Sequence, residues 1–414
     1  MSAASEADLP PEIAPLTALQ ASLRRITETL ADELAHPGAT VPDWSDTQWL
    51  LARAVATIHG ISPLLSRSLR WEGPPGWQSF LDEQRIHTEK RHSRIRELLG
   101  QLHEAGRGSG IPMVALKGAA LHELQLYAAG ERPMADVDLL VREQDSRRAR
   151  EMLEQLGFHL THTNWKHQVF AAGAHEPGEF GENCANGMKI ELHSRICEVL
   201  PRRAVDVSVC VYPTAARAGL NYYPSPAALM MHLLLHAAGS MAFRAIRLIN
   251  LNDISRLSAS MSSRDWDELL AQESALDQTL WWSFPPLAMT ARYYDTIPEG
   301  VVTALSSRCQ WWLRQTSRRR TLCDVSLSHL WVTAFPGIEW ARSPREMLTH
   351  VMRRIAPGAQ VRSLRKVLAT TEPAAAHSTW AHMSQGRRLL RWLTSRPARP
   401  ESLHPIRMAL AQSR

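Results

Sequence analysis

The sequence predicts an α+β protein, with a small mixed sheet flanked by helical regions on both sides. Apolar residues recur at three and four positions through roughly the first hundred residues. Short alternating runs separated by turns then occupy Ile111 to about Ile196, and helical periodicity resumes at Pro226 and runs to the C-terminus.

Leu16 to Leu34 and Trp44 to Leu69 read as packed helices, with Asp43 as the N-cap of the second. After Gly73-Pro74-Pro75, the charged stretch Trp77 to Ala105 has a thin apolar stripe and predicts a long surface helix ending at Gly106. Met113 to Leu116 is a short apolar run that predicts a strand, Gly118 a turn, and Ala119 to Tyr127 a helix. Asp136 to Val141 alternates as a strand does, and Ser146 to Leu156 is a helix closed by Gly157. Phe158 to Leu160, Gln168 to Ala171 and Met188 to Leu192 are further strands. Ser225 caps the next helix with Pro226 at its first position. The helical periodicity beyond it breaks at Pro285-Pro286, Pro344, Pro357 and Pro397. These changes of pattern divide the 414 residues into a disordered tail (1–15), an N-terminal helical region (16–106), an α/β core (107–222), a helical domain (223–340) and a basic helical region (341–414).

Composition excludes several classes. Apolar residues at 44% and charged residues at 21% match a globular chain and rule out a fibre or a disordered polymer. The net charge of +6 is concentrated in the last 73 residues, where 14 basic side chains face 3 acidic ones, so the rest of the chain is slightly acidic. Cys184, Cys197, Cys210, Cys309 and Cys323 form neither a C-x-x-C pair nor an even set, which argues against a disulfide framework or a zinc ribbon and for a reducing, cytoplasmic setting. The N-terminus lacks the basic and apolar regions of a signal peptide, and the most apolar run, Ala227 to Phe243, falls short of the roughly 20 residues that cross a bilayer, so it reads as a buried helix.

Three local patterns carry chemistry. Asp136 and Asp138 stand at i and i+2 of a strand and so project to one side, an arrangement suited to Mg²⁺ shared with phosphate oxygens, although many strands end in two solvated acids. Lys117-Gly118-Ala119 lies between strand and helix, where a glycine lets a phosphate approach the backbone; a plain turn with a solvated lysine is the alternative. Glu191 sits between Ile190 and Leu192, pointing away from their core face, and completes a carboxylate triad only if the other two elements are real.

Ile111-Pro112-Met113-Val114-Ala115-Leu116-Lys117-Gly118-Ala119-Ala120-Leu121, followed by Tyr127, Gly130, Arg132-Pro133 and Asp136-Val137-Asp138-Leu139-Leu140-Val141, resembles the signature of the bacterial uncharacterised nucleotidyltransferase family, within the DNA polymerase beta-like superfamily. The likeness continues through Ile190-Glu191-Leu192-His193, Leu229 to His236 and Leu251-Asn252-Asp253-Ile254. It implies a polymerase beta-like core with Asp136, Asp138 and Glu191 as metal-binding and catalytic acids, and with Lys117, Gly118, Ala119, Arg132 and His193 near the nucleotide. Ala119 replaces the usual Gly or Ser, and Glu191 is longer than the usual Asp.

The implied reaction uses two Mg²⁺ ions and ATP or another nucleoside triphosphate to transfer a nucleoside monophosphate, AMP by preference, to a hydroxyl of a peptide, protein or small metabolite. A toxin-like transferase acting on RNA through the basic C-terminus, and a non-catalytic binding protein that keeps the fold, are the alternatives. Arg132 either clamps phosphate or pairs with Asp136. His232 and His236, one helical turn apart, have zinc-ligand spacing but read better as core histidines, and Asp253 either contacts nucleotide or caps a helix. Arg387-Arg388-Leu389-Leu390-Arg391-Trp392-Leu393 is a short basic amphipathic helix suited to an anionic partner or to solvent.

Overall fold

A computed structural model describes residues 15–173, 180–359, 361 and 382–411. The expected N-terminal tail lies almost wholly outside them, as does part of the basic C-terminal region. The first helix, α1 (Leu16–Ala35), agrees with the apolar spacing. The second apolar run is two helices, α2 (Asp46–His59) and α3 (Ser62–Ser68), because Gly60 adopts φ 65° and closes α2. The N-cap of α2 is Ser45 rather than Asp43, in a reciprocal capping box with Gln48.

The charged helix α4 (Pro75–Ser109) runs past the expected stop and ends on Gly110 at φ 64°. Gly106 is interior to it: a Cβ there would lie 3.0 Å from Gly219 Cα, so this glycine lets the helix lie close to a strand instead of ending the helix. As the thin apolar stripe predicts, α4 buries one face, from Trp77 through Leu102, and leaves the charged remainder toward solvent.

The sheet follows. Strands β1 (Pro112–Ala115), β2 (Asp136–Leu140), β3 (His159–Thr163), β4 (His167–Ala171), β5 (Lys189–His193) and β8 (Gly219–Asn221) form six strands in the order β3-β4-β5-β2-β1-β8. Pairing is mixed: β2 runs parallel to β5 and β1 parallel to β8, while β1–β2, β3–β4 and β4–β5 are antiparallel. Between β1 and β2 lies α5 (Gly118–Glu123), shorter than the apolar spacing predicts, and α6 (Ser146–Gln155) follows β2.

One sheet face is apolar. Val137, Leu139, Ile190 and Leu192 pack with Leu98 and Leu102 of α4 and with Met152 and Leu153 of α6 in one buried cluster. Side-chain alternation therefore gives Asp136, Asp138, Glu191 and His193 to the opposite face. A separate hairpin, β6 (Cys197–Leu200) with β7 (Arg203–Asp206), precedes the short helix α7 (Ser208–Val211); neither the hairpin nor β8 is expected from the pattern, each strand being only three or four residues long.

Helix α8 (Pro226–Ala242) starts on Ser225, whose Oγ accepts a hydrogen bond from Ala228 N–H, and it is buried along most of its length. Next comes α9 (Leu248–Ser260). Pro285 and Pro286 sit in the first turn of helix Phe284–Tyr293, and Pro344 opens helix Pro344–Ile355, so these prolines start helices rather than interrupt them. The basic amphipathic segment is helical over Gln385–Thr394. No helix among the described residues is long and apolar enough to cross a membrane, and all five cysteines are free.

Distant segments of the helical layer meet at one histidine. Leu248 N–H donates to His59 Nδ1 at 3.0 Å, so the proton resides on Nε2, which donates to Ser328 Oγ at 2.9 Å. Burial, reinforced by Arg247, lowers the His59 pKa to about 3. The unfolded chain takes up this proton near pH 6.5 and the folded chain does not, so stability from the neutral ring is lost as pH falls below about 6.5. Between pH 7 and pH 5 the loss attributable to His59 is expected to be on the order of 2 kcal/mol. Urea denaturation of the wild type and His59→Gln at both pH values checks this: equal pH slopes would contradict it.

Candidate active site

Because β2 and β5 pair in parallel register, Asp138 stands directly beside Glu191 and Asp136 beside Lys189. Asp136, Asp138 and Glu191 all line one cleft of about 280 Å³, together with Lys117, Gly118, Ala119 and Arg132. Residues from the turn after β1 and from α5, β2, β5, α8 and α9 meet there.

The acids are held by specific partners. Arg91 of α4 donates from Nε to Met134 O (2.7 Å) and from Nη2 to Ala135 O (2.8 Å), which fixes the backbone just before Asp136. Lys117 Nζ and His193 Nε2 each lie 3.0 Å from Asp138 Oδ1. Burial works against an ionised Asp138, but Lys117 and His193 outweigh it and hold its carboxyl well below the usual range. Burial likewise opposes charge on Lys117 and on His193, and the surrounding acids outweigh it in both cases and raise their pKa values. Asp136 has no such cation against it. Burial, then repulsion from Asp138 and Glu191, pushes it up to about 7.

The turn before α5 is strained. Lys117 adopts φ 44°, unusual for a side chain with a Cβ, and its N–H donates to Tyr223 Oη at 3.1 Å. Tyr223 Oη in turn donates to His232 Nδ1 at 2.7 Å. His232 is therefore a buried, bonded histidine, as the sequence favours. Gly118 is required by close approach: a Cβ there would stand 2.6 Å from Met134 Sδ and closer still to Arg132 Nη1. The Ala119 N–H donates to Leu116 O at 3.2 Å within this turn.

Arg132 does not pair with Asp136. It forms a two-pronged ion pair with Asp253, Nε to Oδ1 and Nη2 to Oδ2, both at 2.7 Å. Tyr127 Oη donates to the same carboxylate at 2.8 Å. Asp253 lies inside α9 rather than at its cap, and only the Nη1 edge of Arg132 is left toward the Gly118 turn. His193 lines a smaller adjoining cavity and not the cleft itself.

Two contributors have no signal in the sequence. Arg247, the residue before α9, lines the cleft; the one hydrogen bond of its guanidinium among the described residues runs from Nε to Ile58 O at 3.0 Å, leaving both Nη nitrogens without one. His167 of β4 stands 3.3 Å from Glu191 Oε2 through Nδ1. His167, Glu191 and His193 have ligand-spaced atoms. The tautomer of His167 disfavours a metal there. Asn164 Oδ1 accepts from the N–H groups of Lys166 (2.8 Å) and His167 (3.0 Å), so its amide nitrogen faces His167 Nε2 at 2.9 Å. Nε2 must then accept, and the proton resides on Nδ1, which makes no hydrogen bond among the described residues.

A mixed sheet that presents acids to a cleft at the end of a glycine turn agrees with what sequence comparison finds. The chain belongs to the family described as uncharacterised nucleotidyltransferase, whose profile matches residues 45–281. No curated protein and no solved structure matches the chain.

Proposed function

We propose that the protein transfers a nucleoside monophosphate, AMP from ATP, to a hydroxyl of a peptide, protein or small metabolite. The convergence of Asp136, Asp138 and Glu191 on one sheet face, at the wall of a cleft that also holds Arg247, carries this reading. Three oxygen-donor acids suit a hard divalent cation, and the repulsion that raises Asp136 is the imbalance such a cation relieves. Bound there, Mg²⁺ supplies charge neutralisation at the α-phosphate and a lowered pKa for the attacking hydroxyl.

The protein's own groups do the rest. Asp136, Asp138 and Glu191 hold the ions, with two Mg²⁺ as the working number, and Glu191 accepts the acceptor's proton. Gly118 lets phosphate oxygens approach the turn, and Lys117 balances Asp138 until nucleotide arrives. Arg247 supplies two unpaired Nη donors, and Arg132 offers its remaining edge.

Incubating the protein with Mg²⁺ and each α-labelled triphosphate, with cell extract, peptide fractions or tRNA as acceptors, tests the reading by pyrophosphate release. Label on a peptide, protein or metabolite supports it. Label on RNA moves the function to an RNA-directed transferase, and absence of both turnover and nucleotide binding leaves a non-catalytic fold. Arg247→Gln is expected to weaken nucleotide binding at least about tenfold, about 1.4 kcal/mol, measured by calorimetry. Unchanged affinity would remove Arg247 from the site.

A further inference from the structure

Beside the cleft lies a second cavity of about 90 Å³, a third of the cleft's 280 Å³. It is lined by Lys166, Arg195, Cys197, Glu198 and Leu235, and it shares Lys117, Glu191 and His236 with the cleft. It is the narrower of the two and suits a fragment of a few heavy atoms. Whatever occupies it touches the same Glu191 that faces the cleft.

Its walls are cationic where they meet solvent. The Arg195 side chain is 75% exposed, and its one ion pair among the described residues is a distant one, 4.0 Å to Asp206. Lys166 Nζ stands 2.5 Å from Glu198 Oε1 and keeps 30% of its side chain exposed. Deeper in, His236 has no hydrogen-bond partner among the described residues although it borders both cavities. Its ring is neutral at physiological pH, since burial, aided by Lys117, lowers its pKa well below the ordinary value. A cationic mouth, an unbonded imidazole and a carboxylate shared with the nucleotide cleft form a graded site: anion outside, hydroxyl inside.

We infer that this smaller cavity is the acceptor subsite and that the acceptor is an alcohol carrying an anionic group, a carboxylate or a phosphate, which Arg195 and Lys166 hold at the mouth while its hydroxyl reaches Glu191. The inference rests on the proposed transferase reading. In the transfer, the acceptor oxygen forms a bond to the α-phosphorus of the triphosphate. The bond from that phosphorus to the bridging oxygen breaks, pyrophosphate leaves with the electron pair, and the hydroxyl proton passes to Glu191.

The test uses the full chain with Mg²⁺ and a non-hydrolysable ATP analogue. Saturation-transfer NMR is recorded with glycerate, glycerol 3-phosphate, glycerol and pyrophosphate as probes, and calorimetry follows the analogue. At least one anionic alcohol is expected to bind while glycerol does not, and comparing glycerate with glycerol 3-phosphate tells carboxylate from phosphate. Arg195→Glu, a change at an exposed side chain, is expected to weaken that binding at least tenfold and leave the analogue's affinity unchanged. Cys197→Trp, which fills the cavity, is expected to abolish the probe signal with the analogue still bound.

Equal signals from glycerol, an Arg195→Glu variant that binds as the wild type does, or binding of pyrophosphate alone would overturn the inference. So would silence from every probe while the analogue binds. Failure of the wild type to bind the analogue would instead strike the nucleotide cleft itself, and the subsite with it.

Discussion

Replacing Asp136 with Asn is expected to lower nucleotidyl transfer at least about a thousandfold, roughly 4 kcal/mol of transition-state stabilisation, while making the chelator-treated protein more stable. The two effects have one cause. Asp136 is crowded by Asp138 and Glu191 with no cation bonded to it, so its ionised form costs stability. Its folded pKa, about 7, exceeds its unfolded one, so the stability it contributes is present at low pH and lost as pH rises through about 7. Asn carries no charge and avoids that loss, and a gain of about 1–3 kcal/mol at pH 8 is the expected outcome. Asp138→Asn should cost activity by a similar factor but reduce stability, because Lys117 and His193 lose the carboxylate that both of them face. Single-turnover assays with α-labelled ATP and thermal melts in chelator check the pair. Near-native turnover in Asp136→Asn would reject the assignment of the acids, and matching melts for the two variants would reject the electrostatic account.

Asp253→Ala is expected to cost about 3–5 kcal/mol, the larger stability effect. Asp253 is almost wholly buried, and it holds Arg132 through two hydrogen bonds and Tyr127 through a third. Its removal leaves a buried guanidinium without a counter-charge. In the double variant Asp253→Leu with Arg132→Met no such charge remains, so at least half of the loss should return. Nucleotide binding should stay weakened in the double variant, since the edge of Arg132 toward the Gly118 turn is gone. Chemical denaturation and calorimetry on the wild type and the two variants decide this: a double variant no more stable than Asp253→Ala would remove the uncompensated charge as the cause, and one binding nucleotide as the wild type does would confine Arg132 to a structural role.

Much of the site was legible because its elements are local. Asp136 and Asp138 share a face through strand alternation alone, and Gly118 marks a tight turn wherever it is folded. Ile190 and Leu192 flank Glu191 and fix its side of the sheet in the same way. Helix ends were less legible, because a glycine is ambiguous: Gly60 ends α2 in a left-handed conformation, whereas Gly106 is held inside α4 by a neighbouring strand. The short strands β6, β7 and β8 were missed for a related reason, as each is too brief for alternation to show.

The sequence by itself determined the class of fold, the family, and the faces on which the three acids stand, since residue spacing and backbone periodicity are properties of the chain alone. Only the tertiary structure decided what each charge meets. Arg132 pairs with Asp253, 121 residues away, and not with Asp136; Arg247 enters the cleft; Asn164 sets the proton on His167. A charged side chain takes the partner that compensates its desolvation best within a few ångströms, and which residue lies within that distance depends on how remote segments pack.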